Sequence, residues 1–333
     1  MKKYASLLLF ALLLNGCDDG NLTVDTINFE DVSSASCPTT STTGNTLIYK
    51  INEKEALLLQ LPTTSIVNDS VTNVYDIDNT TYRFLYRSYD GTVATDNLCN
   101  TIPPTTPKVI EEWVATAGKM NIISRQVEVV NTTDGSSKIS GYEHSINFTN
   151  ITFSKPSGVP QTDEKFAFGT YATSVTIPNS LAFSNSATEN YKAFQCTAGL
   201  NRVYNYSPSF YISIDNIDPN LIQPVATLPN QPRTSLITAS MNNVYYRTAT
   251  SGTGSFTDSY FCASPAPASP AIGEDWSGKL GVANVSGIIE VSTLDATNSF
   301  IHTITLKNVI MQKGGSHFKL GTTFVLGTLT IAK

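Results

Sequence analysis

The stretch CNTIPPTTPKVIEEW, from Cys99 to Trp113, constrains this chain more than any other, because it returns as CASPAPASPAIGEDW from Cys262 to Trp276. In each copy Trp follows Cys by fourteen residues and Pro stands at the fifth and eighth positions after the Cys (Pro104 and Pro107, Pro267 and Pro270). Two carboxylates precede each Trp: Glu111 and Glu112, then Glu274 and Asp275. Other pairs keep the same register: Cys37 with Cys196, Tyr86-Arg87 with Tyr246-Arg247, His144 with His302, Asn150 with Asn308, and Phe168-Gly169-Thr170 with Leu326-Gly327-Thr328. Self-similarity at a fixed period marks a duplicated structural unit. The expectation is one ancestral domain present twice, over residues 22–175 and 176–333.

A chain of 333 residues is long enough for two such cores. Charged residues are only 14% and the formal net charge is −6, with 21 Lys plus Arg. That balance excludes a basic face for phosphate backbones, so no nucleic-acid partner is expected. Abundant β-branched and aromatic residues favour strands. Thr46–Ile51 and Glu55–Leu61 flank Asn52-Glu53-Lys54, which reads as a hairpin turn. The prolines after Cys99 cannot donate to a ladder, so that segment is an extended crossing or an edge.

One predicted strand carries an irregularity. Tyr142, His144, Ile146 and Phe148 share a face, yet Ile151 and Phe153 have the other parity; His302, Ile304 and Leu306 are likewise followed by Val309 and Met311. A β-bulge near Thr149-Asn150 and Lys307-Asn308 would turn all of them inward. The predicted fold is all-β: two tandem homologous antiparallel β-sandwich domains. Four cysteines allow three pairings, and only Cys37–Cys99 with Cys196–Cys262 places one disulfide inside each copy.

The N-terminus explains the fifth cysteine. Residues 1–16 hold two lysines and a short apolar run, too short to span a bilayer comfortably. Leu14-Asn15-Gly16-Cys17 resembles a bacterial lipobox, which implies removal of residues 1–16, lipidation of Cys17, a tether over residues 17–21, and the membrane as a partner through the acyl chains. An exported location also makes oxidised cysteines the expected state. Asp18 and Asp19 resemble the acidic export signal of Bacteroidota lipoproteins, and CDDGNLTVDTINFEDV is similar to the mature N-terminus of flavobacterial-type surface lipoproteins. The resemblance implies an outer-membrane lipoprotein at the cell surface, with the periplasmic face as the alternative, and implies no activity. Asp25-Thr26-Ile27 and Asp69-Ser70-Val71 resemble the O-glycosylation acceptor of the same phylum.

Signals for chemistry are sparse. No GxSxG elbow, HExxH helix, P-loop or dinucleotide fingerprint occurs. His144 and His302 read as core-strand histidines with apolar neighbours rather than as acid–base groups. Glu111-Glu112 and Glu274-Asp275, adjacent on strands, point to opposite faces and suit a glycosidase pair poorly. Asp76, Asp78 and Asn79, and Asp215, Asn216 and Asp218, follow no calcium-loop spacing and fit turns. Trp113 and Trp276 read as core residues rather than sugar platforms. No catalytic residue, metal ligand or cofactor is expected. Outward parity for Arg87, Tyr89, Tyr245 and Arg247 leaves a polar and aromatic candidate face for a glycan or protein ligand. The expectation is a non-enzymatic binding, adhesion or structural module; the alternative is a glycan-capturing accessory lipoprotein of a polysaccharide-utilisation system.

Overall fold

The alternating apolar pattern is realised as nineteen strands, two short α-helices and one 3-10 turn among the described residues. The computed structural model describes residues 27–38, 44–177, 181, 183, 191–196, 201–263 and 265–333. Cys17, Asp18, Asp19, Asp25 and Thr26 lie outside them. The chain divides into two units, Met1–Asp31 and Val32–Lys333, and everything below concerns the second.

The first half contributes β1 (Ala35–Ser36), β2 (Asn45–Asn52), β3 (Glu55–Pro62), β4 (Thr72–Asp76), β5 (Arg83–Tyr89), α1 (Thr95–Cys99), β6 (Val109–Val130), β7 (Ser137–Ser154) and β8 (Gln161–Ile177). All pairs are antiparallel, in the order β1-β2-β3-β5-β6-β7-β8, and β4 pairs with β6 as well. The long β6 explains how one sheet curls on itself. Its N-terminal part pairs with β5 (Trp113 opposite Tyr86) and its C-terminal part with β4 (Ile123 opposite Thr72). Phe84 of β5 thereby meets Phe148 of β7 at 4.4 Å between ring centroids, inside a core with Phe153, Phe166 and Phe168.

In the second half the strands are shorter and the sheet is divided. These are β9 (Phe194–Cys196), β10 (Arg202–Tyr206), β11 (Phe210–Asp215), β12 (Arg233–Leu236), β13 (Asn243–Ala249), α2 (Asp258–Phe261), β14 (Ile272–Gly278), β15 (Ile288–Asp295), β16 (Ser299–Lys307), β17 (Ile310–Lys313), β18 (Ser316–Lys319) and β19 (Thr323–Ala332). One sheet runs β18-β17-β14-β13-β11-β10-β9 and the other β12-β15-β16-β19. Between them lie Ile212, Val244, Tyr246, Trp276, Met311 and Phe318 from the first sheet and Ile289, Val291, Ile304, Leu306 and Leu326 from the second.

The expected parity switch is present in both halves. Asn150 and Asn308 stand at φ 50° and 49°, in the left-handed region that Asn tolerates better than most residues. At Asn150 this is a β-bulge within β7, two residues opposite one of β6; at Asn308 the expected bulge is instead a break, where the chain leaves β16 for β17 in the other sheet, and Phe148, Ile151, Leu306 and Val309 are all buried. Gly118, opposite the bulge, has no room for a side chain: an added Cβ would lie 2.8 Å from the Ile151 Cα. The disulfides are Cys37–Cys99 and Cys196–Cys262, as the register requires.

The two halves meet through a hairpin. Gly314 and Gly315 form the two-residue turn between β17 and β18, with Gly314 at φ 56°, in the left-handed region that Gly enters without steric cost. Asp69 of the first half accepts from the Gly315 N–H at 3.0 Å and from the Ser316 hydroxyl at 2.7 Å. The Gln126 side-chain amide then pairs with the backbone of His317 like an added strand, accepting at 2.8 Å and donating at 2.9 Å. Ile139, Tyr142 and Ile177 of the first half belong to the same apolar cluster as the core of the second, so the core runs through the junction.

Candidate functional site

The residues marked for chemistry by their type are mostly held in structural bonds. Trp113 and Trp276 are 3% and 1% exposed, and each donates its indole N–H to the carboxylate two positions before it, Glu111 at 2.7 Å and Glu274 at 3.0 Å. The second carboxylate of each pair turns to the opposite face and binds an arginine: Glu112 with Arg87 at 2.6 Å, Asp275 with Arg247 at 2.8 Å. Period-two geometry thus separates the members of each pair. Lys155 lies 3.9 Å from the Trp113 ring centroid, and Lys313 binds Glu274 at 2.7 Å beside Trp276.

Both matched histidines are buried and each is bonded to a hydroxyl directly across the ladder. His144 Nδ1 is 2.8 Å from the Ser124 hydroxyl, and His302 Nδ1 is 2.8 Å from the Thr293 hydroxyl. The Thr173 hydroxyl donates to Asn68 at 2.7 Å and so accepts from His144 Nε2, which fixes the neutral tautomer with its hydrogen on Nε2. Ser124 is as buried as His144, so this serine–histidine contact has no access to a substrate.

Burial pushes the pKa of both imidazoles below the ordinary 6.5, and Arg233 adds to the shift at His302. Between the lowered folded value and 6.5 the unfolded chain binds protons that the folded chain refuses. The stabilisation is therefore full above about pH 6.5 and is lost as pH falls through that window, by up to about 1.4 kcal/mol per pH unit for each histidine. Urea midpoints measured from pH 7.5 to 5 should fall for the wild type and fall less for His144→Gln with His302→Gln. An equal fall in both proteins would assign the loss to other groups.

The acidic clusters are turns. Asp78 accepts from the amides of Thr80, Thr81 and Tyr82 at 2.8–2.9 Å. Asp215 forms a two-pronged ion pair with Arg202, and Asp218 caps Asn220 and binds Ser235. Among the described residues no three His, Cys, Asp or Glu side chains gather as a metal-binding group. Ser70, in the second acceptor-like triplet, accepts from the Gln126 amide at 3.2 Å at the junction between the halves.

The four residues of the candidate ligand face part company. Tyr89 has the outward parity expected of it but is only 4% exposed, because Ala56, Leu58, Leu85 and Val93 form a second apolar layer on that side, with Leu98 of α1 packed against it. Arg87 is half-buried in its ion pair. In the second half the corresponding layer is aromatic (Tyr204, Tyr211, Phe256, Tyr260 and Phe261), and it leaves β13, β14, β17 and β18 uncovered. Tyr245 sits there, and Arg247 is half-buried at its margin between Asp275 and the Tyr211 hydroxyl, the guanidinium 4.4 Å above the Tyr245 ring, beside a concavity of about 320 Å³ that Tyr245, Asp275, Ser277, Gln312 and Lys313 line. Sequence reasoning missed the rest of this face. Alternation around the buried Trp276 would have placed Asp275, Ser277 and Lys279 outward, whereas the short stretch Gly314-Gly315-Ser316-His317 gives no periodic sign that His317 stands in a strand.

Compared with family models, with curated proteins and with solved structures, the chain matches none.

Proposed function

We propose that this chain is a lipid-anchored surface protein in which two homologous β-sandwich domains, copies of one ancestor, act as a non-catalytic binding module. The observation that carries the reading is the division of labour among its polar residues. The two matched histidines, paired carboxylates and tryptophans that chemistry would recruit are spent on internal bonds, while a polar sheet face on the second half is left open to solvent. Support for the duplication comes from the matched left-handed asparagines, the matched disulfides and the two Trp–carboxylate–Arg sets. The lipobox-like Cys17 supplies the anchor and Asp18-Asp19 the address. Joined by a common core, the two halves would present any ligand sites at one fixed spacing.

A second reading, glycan capture for a polysaccharide-utilisation system, is favoured by the tyrosine, serine and glutamine side chains of the open face. Proteinase treatment of intact cells tests the location that both readings share. The expected result is digestion of the wild type, loss of digestion when Asp18 and Asp19 become Ala, and loss of fatty-acid labelling in Cys17→Ala. Protection of the wild type until cells are lysed would remove surface display and direct attention to envelope partners.

A further inference from the structure

The open face has a regular construction. Tyr245 stands opposite Ser277, Ser277 opposite Gln312, and Gln312 opposite His317, so one row of outward side chains crosses four strands. At a strand spacing of about 4.8 Å the row is about 14 Å long. A second row lies beside it: Lys279 donates its backbone N–H to Ile310 at 2.8 Å, and Ile310 stands opposite Lys319. Lys279, Gln312, His317 and Lys319 also border a concavity of about 220 Å³, which shares Gln312 and Gly314 with the larger one beside Tyr245.

The charge of this face opposes that of the chain. Arg247, Lys279 and Lys319 gather there against Asp275, whose carboxylate is already bound by Arg247, while Glu274 and Lys313 bind each other on the Trp276 side of the sheet. Asp69, at the edge, is filled by the donors of Gly315 and Ser316. Among the described residues no carboxylate lies within ion-pair distance of Lys279 or Lys319. The first half shows that the sheet does not need these cations. There the equivalent row is Thr116, Thr152 and Thr162, joined by hydrogen bonds of 3.3 Å and 2.9 Å and carrying no charge.

We propose that the outer face of β13, β14, β17 and β18 binds an anionic polysaccharide, one bearing carboxylate or sulfate groups along its length. The inference rests on the binding-module reading. Repeating anions on one extended chain would meet Lys279 and Lys319 together, while Tyr245, Ser277, Gln312 and His317 offer hydrogen bonds to the sugar hydroxyls of the adjoining row. Parallel rows of outward side chains suit an extended polymer, and an excess of cations in a chain of net charge −6 gives the complementarity.

Affinity electrophoresis of the mature full chain through gels containing polygalacturonate, dextran sulfate or neutral dextran tests this. Retardation is expected with one or both anionic polymers, the pair reporting whether carboxylate or sulfate is preferred, and it should weaken at high salt. Lys279→Thr with Lys319→Thr, which installs the residues of the first half, should lower the affinity about tenfold, as expected for two lost charge contacts. Lys54→Thr, in the β2–β3 turn, should leave it unchanged. Equal loss in both variants, or no retardation by either anionic polymer, would overturn the proposal. Retardation by neutral dextran alone would overturn the anionic ligand and leave a binding module standing. Stronger binding to phosphatidylglycerol vesicles than to the polymers would replace the polysaccharide with a lipid surface. Depolymerisation of any polymer during the run would overturn the binding-module reading itself.

Discussion

Replacing Cys196 and Cys262 together by Ala is expected to lower the stability of the folded chain by about 4 kcal/mol, the chain-entropy value for a closed loop of this length. The bridge closes a separation of 66 residues and the other, Cys37–Cys99, one of 62. Because the entropy varies with the logarithm of loop length, the two double variants should lose almost the same amount on that account. A difference between them therefore reports local packing. Cys196 is buried among Tyr204, Tyr211, Phe256, Tyr260 and Phe261, whereas Cys37 and Cys99 are half-exposed. Loss of the second bridge should cost roughly 1 kcal/mol more, through the space left among these rings. Urea midpoints of the two variants and the wild type give the comparison. A loss below about 1 kcal/mol for Cys196 and Cys262 would mean that the aromatic cluster already closes the loop in the unfolded ensemble.

Gly315→Val is expected to separate the two halves. An added Cβ at Gly315 would lie 2.2 Å from the backbone oxygen of Ser70, a distance that only withdrawal of the β17–β18 hairpin can relieve. Withdrawal removes the Gly315, Ser316 and His317 bonds to Asp69 and Gln126 and exposes Tyr142 and Ile139 at the seam. The coupling lost should exceed about 3 kcal/mol, since overpacking and unsatisfied buried donors both contribute. Calorimetry should show one transition for the wild type and two for the variant. Gly158→Val is the control. It alters the turn between β7 and β8, where an added Cβ meets nothing within 4 Å, and at φ 81° it should cost only about 1 kcal/mol of local strain. A single, unshifted transition in Gly315→Val would show that the hairpin contributes nothing to the seam.

Periodicity and register made much of this fold legible before any coordinates. The parity switch at Asn150 and Asn308 could be read because a strand has a strict two-residue period, so one displaced apolar residue demands one extra backbone position. The disulfides followed from the register between the copies. Tyr89 shows where such reading stops: parity assigned it outward correctly, but what covers an outward face is set by the path of the irregular segment that follows, here the one carrying Val93 and Leu98, which has no period to read. The hairpin at Gly314-Gly315 was not legible for a related reason. A strand of four residues gives too short a pattern to separate from a loop, and the Gln126 side chain that holds its outer edge lies nearly two hundred residues earlier. Of the open face, Tyr245 and Arg247 were legible, while Lys279 and Lys319 acquire meaning only when β14, β17 and β18 are placed side by side.

The seam joins unlike surfaces, a hairpin on one half and a carboxylate cradle on the other, and contacts of that kind can in principle be extended without limit. Each half has a counterpart of the part it does not use. The turn after Lys155 reads Pro156-Ser157-Gly158 in place of Gly314-Gly315, and the segment before β12 reads Leu228-Pro229-Asn230-Gln231-Pro232, with no carboxylate where Asp69 would stand. Proline at the one free end and the missing acceptor at the other deny a neighbouring molecule the fit that the chain makes with itself. The hairpin and its carboxylate acceptor are thus each used within the one chain.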